Sequence, residues 1–292
     1  MENVDAERLE HRNYPTRTRA GRQSRRKTPT IGNQWHDAFW NPVRGCFPVS
    51  PGCRNCYAAN ATRFQLGPTG VYRGLVKVTG QGRFKWTGDM RTVPDLVDQP
   101  LKWRTPKRIF AGSMSDFFRP QVPFEFLQQI FATMEKAEWH QFFVLTKYTE
   151  HLVEVAPYLP WPKNVWLGVS VETPTYYPRI HQLVTVPAAV RFLSLSPIMA
   201  PMPNLPLDAI DWVLVSGEAG PGLKPVSEAW VLQVKDQCDA AGVPFYFNQW
   251  GGASKLASGR ELLGQTWDAM PPMGFVRPGW TPTSPMPVPL AA

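Results

Sequence analysis

The chain has 292 residues, of which 43% are hydrophobic, so it can bury the core of one large domain or two small ones. Its formal charge is +8, and three of its four cysteines lie within eleven residues. That clustering is a poor basis for a disulfide framework and suits a reducing compartment. Because no apolar run is long enough to cross a bilayer and no apolar leader is present, we expect a cytoplasmic protein without a membrane partner.

The N-terminal segment 1–32 is predicted to be a flexible basic arm. Residues 11–30 contain seven Arg or Lys residues and no acidic residue, which accounts for nearly all of the net charge. A polar segment without hydrophobic periodicity is typical of disorder, and its cations can bind phosphates by releasing counterions. We therefore expect DNA as a partner of this arm. The alternative is a solvated leader that binds nothing.

Three cysteines, Cys46, Cys53 and Cys56, follow at the spacing C-x6-C-x2-C. Prolines and a glycine between the first two favour a fixed loop. Three thiolates leave a cubane iron–sulfur cluster one ligand short, and S-adenosylmethionine can chelate the open iron through its amino and carboxylate groups. A zinc site would need a fourth protein ligand, and neither His36 nor Cys238 has the customary spacing. Cysteines without a metal are the third possibility.

The middle of the chain predicts a parallel sheet. Short runs rich in β-branched and aromatic residues alternate with helical stretches, a pattern typical of strands joined by crossover helices. The predicted strands are Arg108–Gly112, Gln141–Thr146, Val165–Val169, Ala189–Leu195, Trp212–Ser216 and Pro244–Asn248. The predicted helices are Phe124–Ala137, after Pro123, and Ser227–Ala241, before Gly242. We therefore expect an α/β protein, a partial or elaborated (β/α) barrel of about six parallel strands.

Polar residues follow each predicted strand, at the end where the chemistry of such folds takes place. They are Ser113, Asp116, Thr146, Lys147, Ser170, Glu172, Ser194, Ser196, Glu218 and Gln249. The repetition at six strand ends favours a site at the barrel mouth. Polar caps of helices are common in any protein of this class, so a structural role is the alternative.

The segment from Pro271 carries seven prolines in 22 residues, which cannot sustain a helix or a central strand. We therefore predict one domain at 33–270, between the basic arm and a proline-rich tail at 271–292. Both tails are expected to be disordered.

Several ordered blocks between residues 33 and 270 match a known pattern. They are Trp40-Asn41-Pro42, Gly45-Cys46, Ser50-Pro51-Gly52-Cys53, Asn55-Cys56-Tyr57-Ala58, Pro100-Leu101-Lys102-Trp103, Leu145-Thr146-Lys147, Gly168-Val169-Ser170-Val171-Glu172, Gly217-Glu218 and Gln249-Trp250-Gly251. These blocks closely resemble the three-cysteine-motif phage protein family. That family is grouped with radical S-adenosylmethionine enzymes and distantly resembles spore photoproduct lyase.

The resemblance implies a barrel of the radical S-adenosylmethionine type. It implies a [4Fe–4S] cluster on Cys46, Cys53 and Cys56, with S-adenosyl-L-methionine across the barrel mouth. A 5′-deoxyadenosyl radical would then form with an external electron donor. The candidates for binding S-adenosylmethionine are then Ser113, Asp116, Lys147, Ser170, Glu172 and Glu218. The resemblance identifies no catalytic residue.

Four strand-end positions depart from the family pattern: Tyr148, Ser196, Ser216 and Asn248. The resembling proteins carry arginine, glutamate, glycine and lysine there. Two cations and one anion are thus replaced by neutral residues near the inferred mouth, which predicts a specialised substrate. Loss of activity is the competing explanation.

The resemblance and the basic arm together favour a nucleobase as the substrate. The leading hypothesis is the isomerisation of a modified thymine in phage DNA, which would take place in the host cytoplasm. A base inside a duplex would have to leave the stack to reach a buried radical. The alternatives are a radical enzyme acting on a peptide or small molecule, and a non-catalytic, zinc-bound nucleic-acid-binding module.

Overall fold

The computed structural model describes residues 35–80, 82–220 and 222–288. Contacts divide the chain into the units Met1–Thr30 and Ile31–Ala292, and the described residues all belong to the second unit. The predicted basic arm at 1–32 therefore lies outside the described residues.

Strands and helices alternate along most of the described chain. The strands are β1 (Ala38–Trp40), β2 (Val43–Arg44), β3 (Val76–Val78), β4 (Phe84–Trp86), β5 (Arg91–Thr92), β6 (Arg108–Ala111), β7 (Gln141–Thr146), β8 (Val165–Ser170), β9 (Val190–Leu195), β10 (Trp212–Ser216) and β11 (Phe245–Gln249). The α-helices are α1 (Tyr57–Ala61), α2 (Phe124–Lys136), α3 (Thr149–Val155), α4 (Pro178–Leu183), α5 (Glu228–Ala241) and α6 (Lys255–Ser258).

The principal sheet has seven strands in the order β1-β6-β7-β8-β9-β10-β11, and each neighbouring pair is parallel. It curls into a half-barrel. The predicted α/β class, the partial barrel and all six predicted strands are confirmed. The additional strand β1 covers only three residues, too few for a periodic pattern to reveal it.

The two faces of this sheet bury different side chains. The outer face packs against helices, with Leu127, Ile130 and Phe131 of α2 in the main core. The inner face carries a second cluster, here called the inner aromatic cluster, whose members meet mostly edge to face. Its buried members are Trp35, Phe110, Phe143, Trp166, Val190, Phe192, Trp212, Leu214 and Tyr246. Large rings thus fill the interior of the half-barrel.

Helix boundaries follow local chemistry. The helix α2 begins directly after Pro123, has Glu125 in its first turn and Lys136 in its last. The helix α5 ends at Gly242, whose φ of 66° is the left-handed conformation expected of a helix C-terminus. In the described part of the chain, the helices are all too short or too polar to cross a bilayer.

The residues between β1 and β6 form a small addition to the sheet that the sequence pattern did not predict. We call residues 44–92 the insert. It contains α1, the antiparallel pair β3–β4, and β5, which pairs with β2. A separate core of Ala58, Ala59, Tyr72, Leu75 and Trp86 stabilises it. All three clustered cysteines lie in the insert.

The proline-rich tail is free of helix and strand through residue 288, as predicted. It nevertheless contacts the domain. The backbone N–H of Arg277 donates to the carbonyl of Ala189 at 3.0 Å, and the indole of Trp280 donates to the carbonyl of Pro187 at 3.0 Å. Phe275 packs against the inner aromatic cluster. These contacts define a path that the composition does not predict.

Candidate cofactor-binding site

A cavity of about 230 Å³ lies at the C-terminal ends of the parallel strands. Phe110 and Leu145, which belong to or pack against the inner aromatic cluster, form part of its wall. The predicted site residues that line it are Cys46, Cys53, Cys56, Ser113, Asp116, Lys147, Ser170 and Glu218. The structure thus brings together residues from widely separated parts of the sequence. Glu172 does not line the cavity and lies beneath its wall.

The cysteine loop follows a tight path around one side of the cavity. Gly45 has a φ of 93°, and a Cβ there would stand 2.3 Å from the carbonyl oxygen of Asp89, so glycine is required before Cys46. Cys53 ends the 3-10 turn Pro51–Cys53, and Cys56 occupies the N-cap position of α1 without a side-chain hydrogen bond to the helix. The short elements of the insert therefore fix all three sulfurs at the edge of one cavity.

Cys53 lies beside a cation. The Nζ atom of Lys147 is 3.4 Å from its Sγ, and the Oγ of Ser50 is also 3.4 Å away. Burial raises the pKa of the Cys53 thiol, but the ammonium, the hydroxyl and backbone hydrogen bonds from Val49 and Ser50 together outweigh burial, so the pKa is lowered. The thiolate is the form that binds metals, and the site favours it at this cysteine.

Cys46 shows the opposite shift. Burial raises the pKa of its thiol, and the negative charges of Asp116, Cys56 and Cys53 raise it further. Cys53 and Cys56 are therefore close enough to Cys46 for their negative charges to disfavour its thiolate. A cationic group bound beside Cys46 would lower the pKa of its thiol.

The described side chains do not form a site for a single metal ion. Within residues 35–80, 82–220 and 222–288, no three His, Cys, Asp or Glu side chains converge closely enough to hold one metal ion. In a cubane cluster each cysteine binds a different iron, so its ligands stand farther apart than the ligands of one ion. The candidate fourth zinc ligands lie elsewhere: His36 stacks with Trp35 and Phe39, and Cys238 is fully buried in the main core.

Glu172 connects the cysteine loop to the sheet. It is fully buried and forms ion pairs with Lys147 and with Arg179, the latter at 3.1 Å. Its Oε1 also accepts a hydrogen bond of 2.5 Å from Ser50. A Cβ at Gly52 would approach its side chain within 2.8 Å, so the loop packs directly on it. Glu172 is a positioning residue that holds both the loop and Lys147.

Glu218 holds the other side of the loop while lining the cavity. The Nδ2 of Asn55 donates to its Oε1 at 3.0 Å, and Arg83 donates to the Oδ1 of Asn55 at 3.2 Å. A chain of hydrogen bonds thus runs from the end of β10 into the insert.

Asp116 joins two strand ends. Its carboxylate accepts hydrogen bonds from the hydroxyl of Thr146 at 2.7 Å and from the backbone N–H groups of Lys147 at 2.8 Å and Phe118 at 3.1 Å. Burial raises its pKa, although these donors act against the rise. Its contacts agree with the structural role that was the alternative for a strand-end aspartate.

Two serines complete the predicted set. The hydroxyl of Ser113 and the side chain of Asn41 exchange hydrogen bonds of 3.1 and 3.2 Å, which orient the turn after β6. Ser170 ends β8, directly opposite Ser194 of β9 in the parallel register. Both Ser170 and Ser194 line the cavity with buried side chains.

The four positions that depart from the family pattern all line the same cavity: Tyr148, Ser196, Ser216 and Asn248. The hydroxyls of Ser196 and Ser216 form a hydrogen bond with each other. Beside them, Gln249 is 6% exposed, and its Oε1 has no hydrogen-bond partner among the described residues. These serine, asparagine and glutamine side chains are polar and uncharged, and Glu218, two residues after Ser216, is the charged residue nearest to them in the chain that also lines the cavity.

Sequence reasoning did not identify Ser50, Asn55 or Arg179 as parts of the site. The first two lie within the cysteine motif, so their position beside the ligands was a usable signal. Arg179 lies in α4, and only the fold shows that its guanidinium reaches Glu172.

Comparison with known proteins gives one match. The profile of a family described as a protein of unknown function (DUF5131) matches residues 31–271. No curated protein and no solved structure matches the chain.

Proposed function

Because the chain belongs to the DUF5131 family, whose description assigns no activity, we propose a function from the site itself: the protein is a radical S-adenosylmethionine enzyme. Cys46, Cys53 and Cys56 hold a [4Fe–4S] cluster at the mouth of the half-barrel. The observation that carries this proposal is that three cysteines border one strand-end cavity to which neither His36 nor Cys238 contributes.

When bound, the cluster and S-adenosylmethionine supply a 5′-deoxyadenosyl radical after reduction by an external electron donor. The chain's own residues prepare the site. Lys147 and Ser50 lower the pKa of the Cys53 thiol and so favour the thiolate, the form that binds metal. Glu172 fixes the position of Lys147 through its ion pair, and with Ser50 and Gly52 it fixes the loop.

Cofactor binding uses the polar groups beside the cysteines. S-adenosylmethionine carries an ammonium, a carboxylate and a sulfonium, so it requires both acceptors and donors. Glu218 supplies a carboxylate at the cavity wall, and Ser113 and Ser170 supply hydroxyls. Asp116 also lines the cavity, and its hydrogen bonds to Thr146 and Lys147 hold the end of β7 to the turn after β6.

The substrate is a nucleobase, and the leading candidate is a modified thymine in DNA, rearranged in an isomerase-type reaction. The neutral polar side chains of Ser196, Ser216 and Asn248 support this choice, because they line the cavity and can exchange hydrogen bonds with a neutral ring. The unpaired Oε1 of Gln249 can accept from a ring N–H. The modified thymine and the phage setting come from the resemblance of the cysteine motif.

The cluster is tested by anaerobic reconstitution with iron and sulfide. Wild-type protein is expected to bind about four irons per chain and to show a charge-transfer absorption that bleaches on reduction. Cys53→Ser should lose most of the iron. The matched control is Cys238→Ala, which alters a cysteine of the main core and should keep the iron. Stoichiometric zinc without iron would overturn the proposal.

The chemistry is tested with the loaded protein, S-adenosylmethionine and dithionite. Release of 5′-deoxyadenosine is expected. If cluster-loaded protein releases none, the four replaced strand-end residues are better explained by a loss of activity than by a specialised substrate. The substrate is sought by mass analysis of nucleosides from host or phage DNA made with and without the protein. A new or isomeric base is the expected result, and unchanged nucleosides would redirect the search to peptides and small molecules.

A further inference from the structure

The insert that carries the cysteines is itself strongly basic. Residues 44–92 contain eight Arg or Lys residues and a single acidic residue, Asp89. The cations are Arg44, Arg54, Arg63, Arg73, Lys77, Arg83, Lys85 and Arg91. This concentration of positive charge is separate from the basic arm. It is not evident from the net charge of the sequence, because acidic residues elsewhere in the chain offset it.

Most of these cations face solvent without a neutralising partner. Arg54, Arg63, Arg73, Lys77 and Arg83 are among those that are exposed. Within the described residues, none of the eight forms an ion pair, since each ion pair there involves a cation outside the insert. The surface therefore presents several unneutralised charges of one sign.

Two pairs of cations face each other directly across strands. Lys77 of β3 is opposite Lys85 of β4, and Arg44 of β2 is opposite Arg91 of β5. Like charges at directly opposed positions of an antiparallel pair are destabilising. A polyanion bound over the insert would remove this repulsion.

Exposed aromatic side chains accompany the charges. Phe64 is 83% exposed, and the Arg63 guanidinium lies over its ring at 4.5 Å. Tyr57 is 52% exposed and Phe47 is 49% exposed, and both line the cavity. Exposed rings are therefore found both beside the cations and at the rim of the candidate site.

We propose that the insert binds the phosphate backbone of a nucleic acid strand and presents a base to the cavity. Cations that follow a backbone, interleaved with exposed rings on which bases stack, are the recognition chemistry of single-stranded nucleic acids. An acidic membrane surface would be attracted by the charges alone, but it would make no use of rings at a cavity rim. The delivery of a base rests on the proposed function, whereas strand binding by the insert does not.

The test uses full-length protein and a fluorescent single-stranded DNA of about 20 nucleotides. This length exceeds the number of nucleotides that a typical single-strand-binding fold covers. Anisotropy is measured at several salt concentrations, without S-adenosylmethionine or reductant. The variant is Lys77→Gln with Lys85→Gln, which removes a repulsive pair and should not lower thermal stability. Its control is Lys136→Gln with Lys163→Gln, two exposed lysines outside the insert.

The insert variant should bind DNA about 10- to 30-fold more weakly than wild type near 0.1 M salt. The slope of log affinity against log salt concentration should become shallower by at least about 1. The control should match wild type. Phe64→Ala should weaken binding at least about fivefold with the salt slope unchanged. Equal affinity of the insert variant and wild type, no DNA binding by wild type, or displacement of DNA by phosphatidylserine vesicles would overturn the proposal. Iron content, measured on the same proteins, reports separately on the cluster.

Discussion

At the scale of single residues, Glu172 shows how a side chain can matter for a site that it does not line. Its carboxylate is fully buried between Lys147 and Arg179 and accepts from Ser50. A buried carboxylate with two cationic partners is costly to disturb, because removing it leaves both cations without a counter-charge. The position of Lys147 beside Cys53 therefore depends on Glu172.

Glu172→Gln is expected to lower the free energy of unfolding by about 3–5 kcal/mol, because Lys147 and Arg179 lose their common counter-charge. Urea denaturation followed by tryptophan fluorescence measures the change. The control is Glu154→Gln, an exposed glutamate of α3, which should change stability by less than about 0.5 kcal/mol. Equal stability of the two variants would show that the buried pairs contribute little.

Which residues surround the cavity was only partly predictable from the sequence. The cysteines, Lys147 and the strand-end polar residues could be named because spacing and fold class place them. The partners of Glu172 and Asp116 could not, because a hydrogen bond across strands or to a distant helix leaves no local pattern. The hydrogen bond between Ser196 and Ser216 is another example: two positions far apart in sequence prove to be neighbours.

At the scale of elements, the sheet was predictable because its strands are buried on both faces. The runs β7 to β10 are continuously or almost continuously buried, which explains why their boundaries were predicted within one residue. The insert was missed because its strands have only two or three residues and are half exposed. Such elements are stabilised by contacts with the rest of the fold and carry no periodic signal.

Gly168 in the central strand β8 permits close packing on the inner face. A Cβ there would stand 2.4 Å from the ring of Phe192, which belongs to the inner aromatic cluster. Gly168→Ala should therefore lower the free energy of unfolding by about 1–3 kcal/mol through overpacking. Chemical denaturation measures this, with Gly67→Ala as the control, because a Cβ at Gly67 meets nothing within 4 Å. If the two variants were equally stable, the aromatic cluster would have to be loosely packed.

At the scale of the whole molecule, the proline-rich tail forms specific contacts with the domain on which it lies. The family match ends at residue 271, and the contacts of Phe275, Arg277 and Trp280 lie beyond it. They connect the tail to the inner aromatic cluster and to the segment before β9. The tail is thus an addition to the matched region that covers part of its core.

Ending the chain after Pro271 is expected to lower the free energy of unfolding by about 2–4 kcal/mol, since it exposes apolar surface and removes hydrogen bonds. Thermal and urea denaturation measure the loss. Trp280→Ala should give a smaller loss of the same sign, and Pro282→Ala, at an exposed position of the tail, should give almost none. If the shortened chain were as stable as the full chain, the tail contacts would contribute nothing measurable to the free energy of unfolding.

The facing cations of the insert also affect how salt would act on a complex. Dissolved ions screen the repulsion between Lys77 and Lys85, and between Arg44 and Arg91, and so stabilise the unbound protein. The same ions weaken the attraction between protein and phosphates. Both effects favour dissociation as salt rises. The slope of log affinity against log salt concentration would therefore overestimate the number of phosphates that this protein contacts.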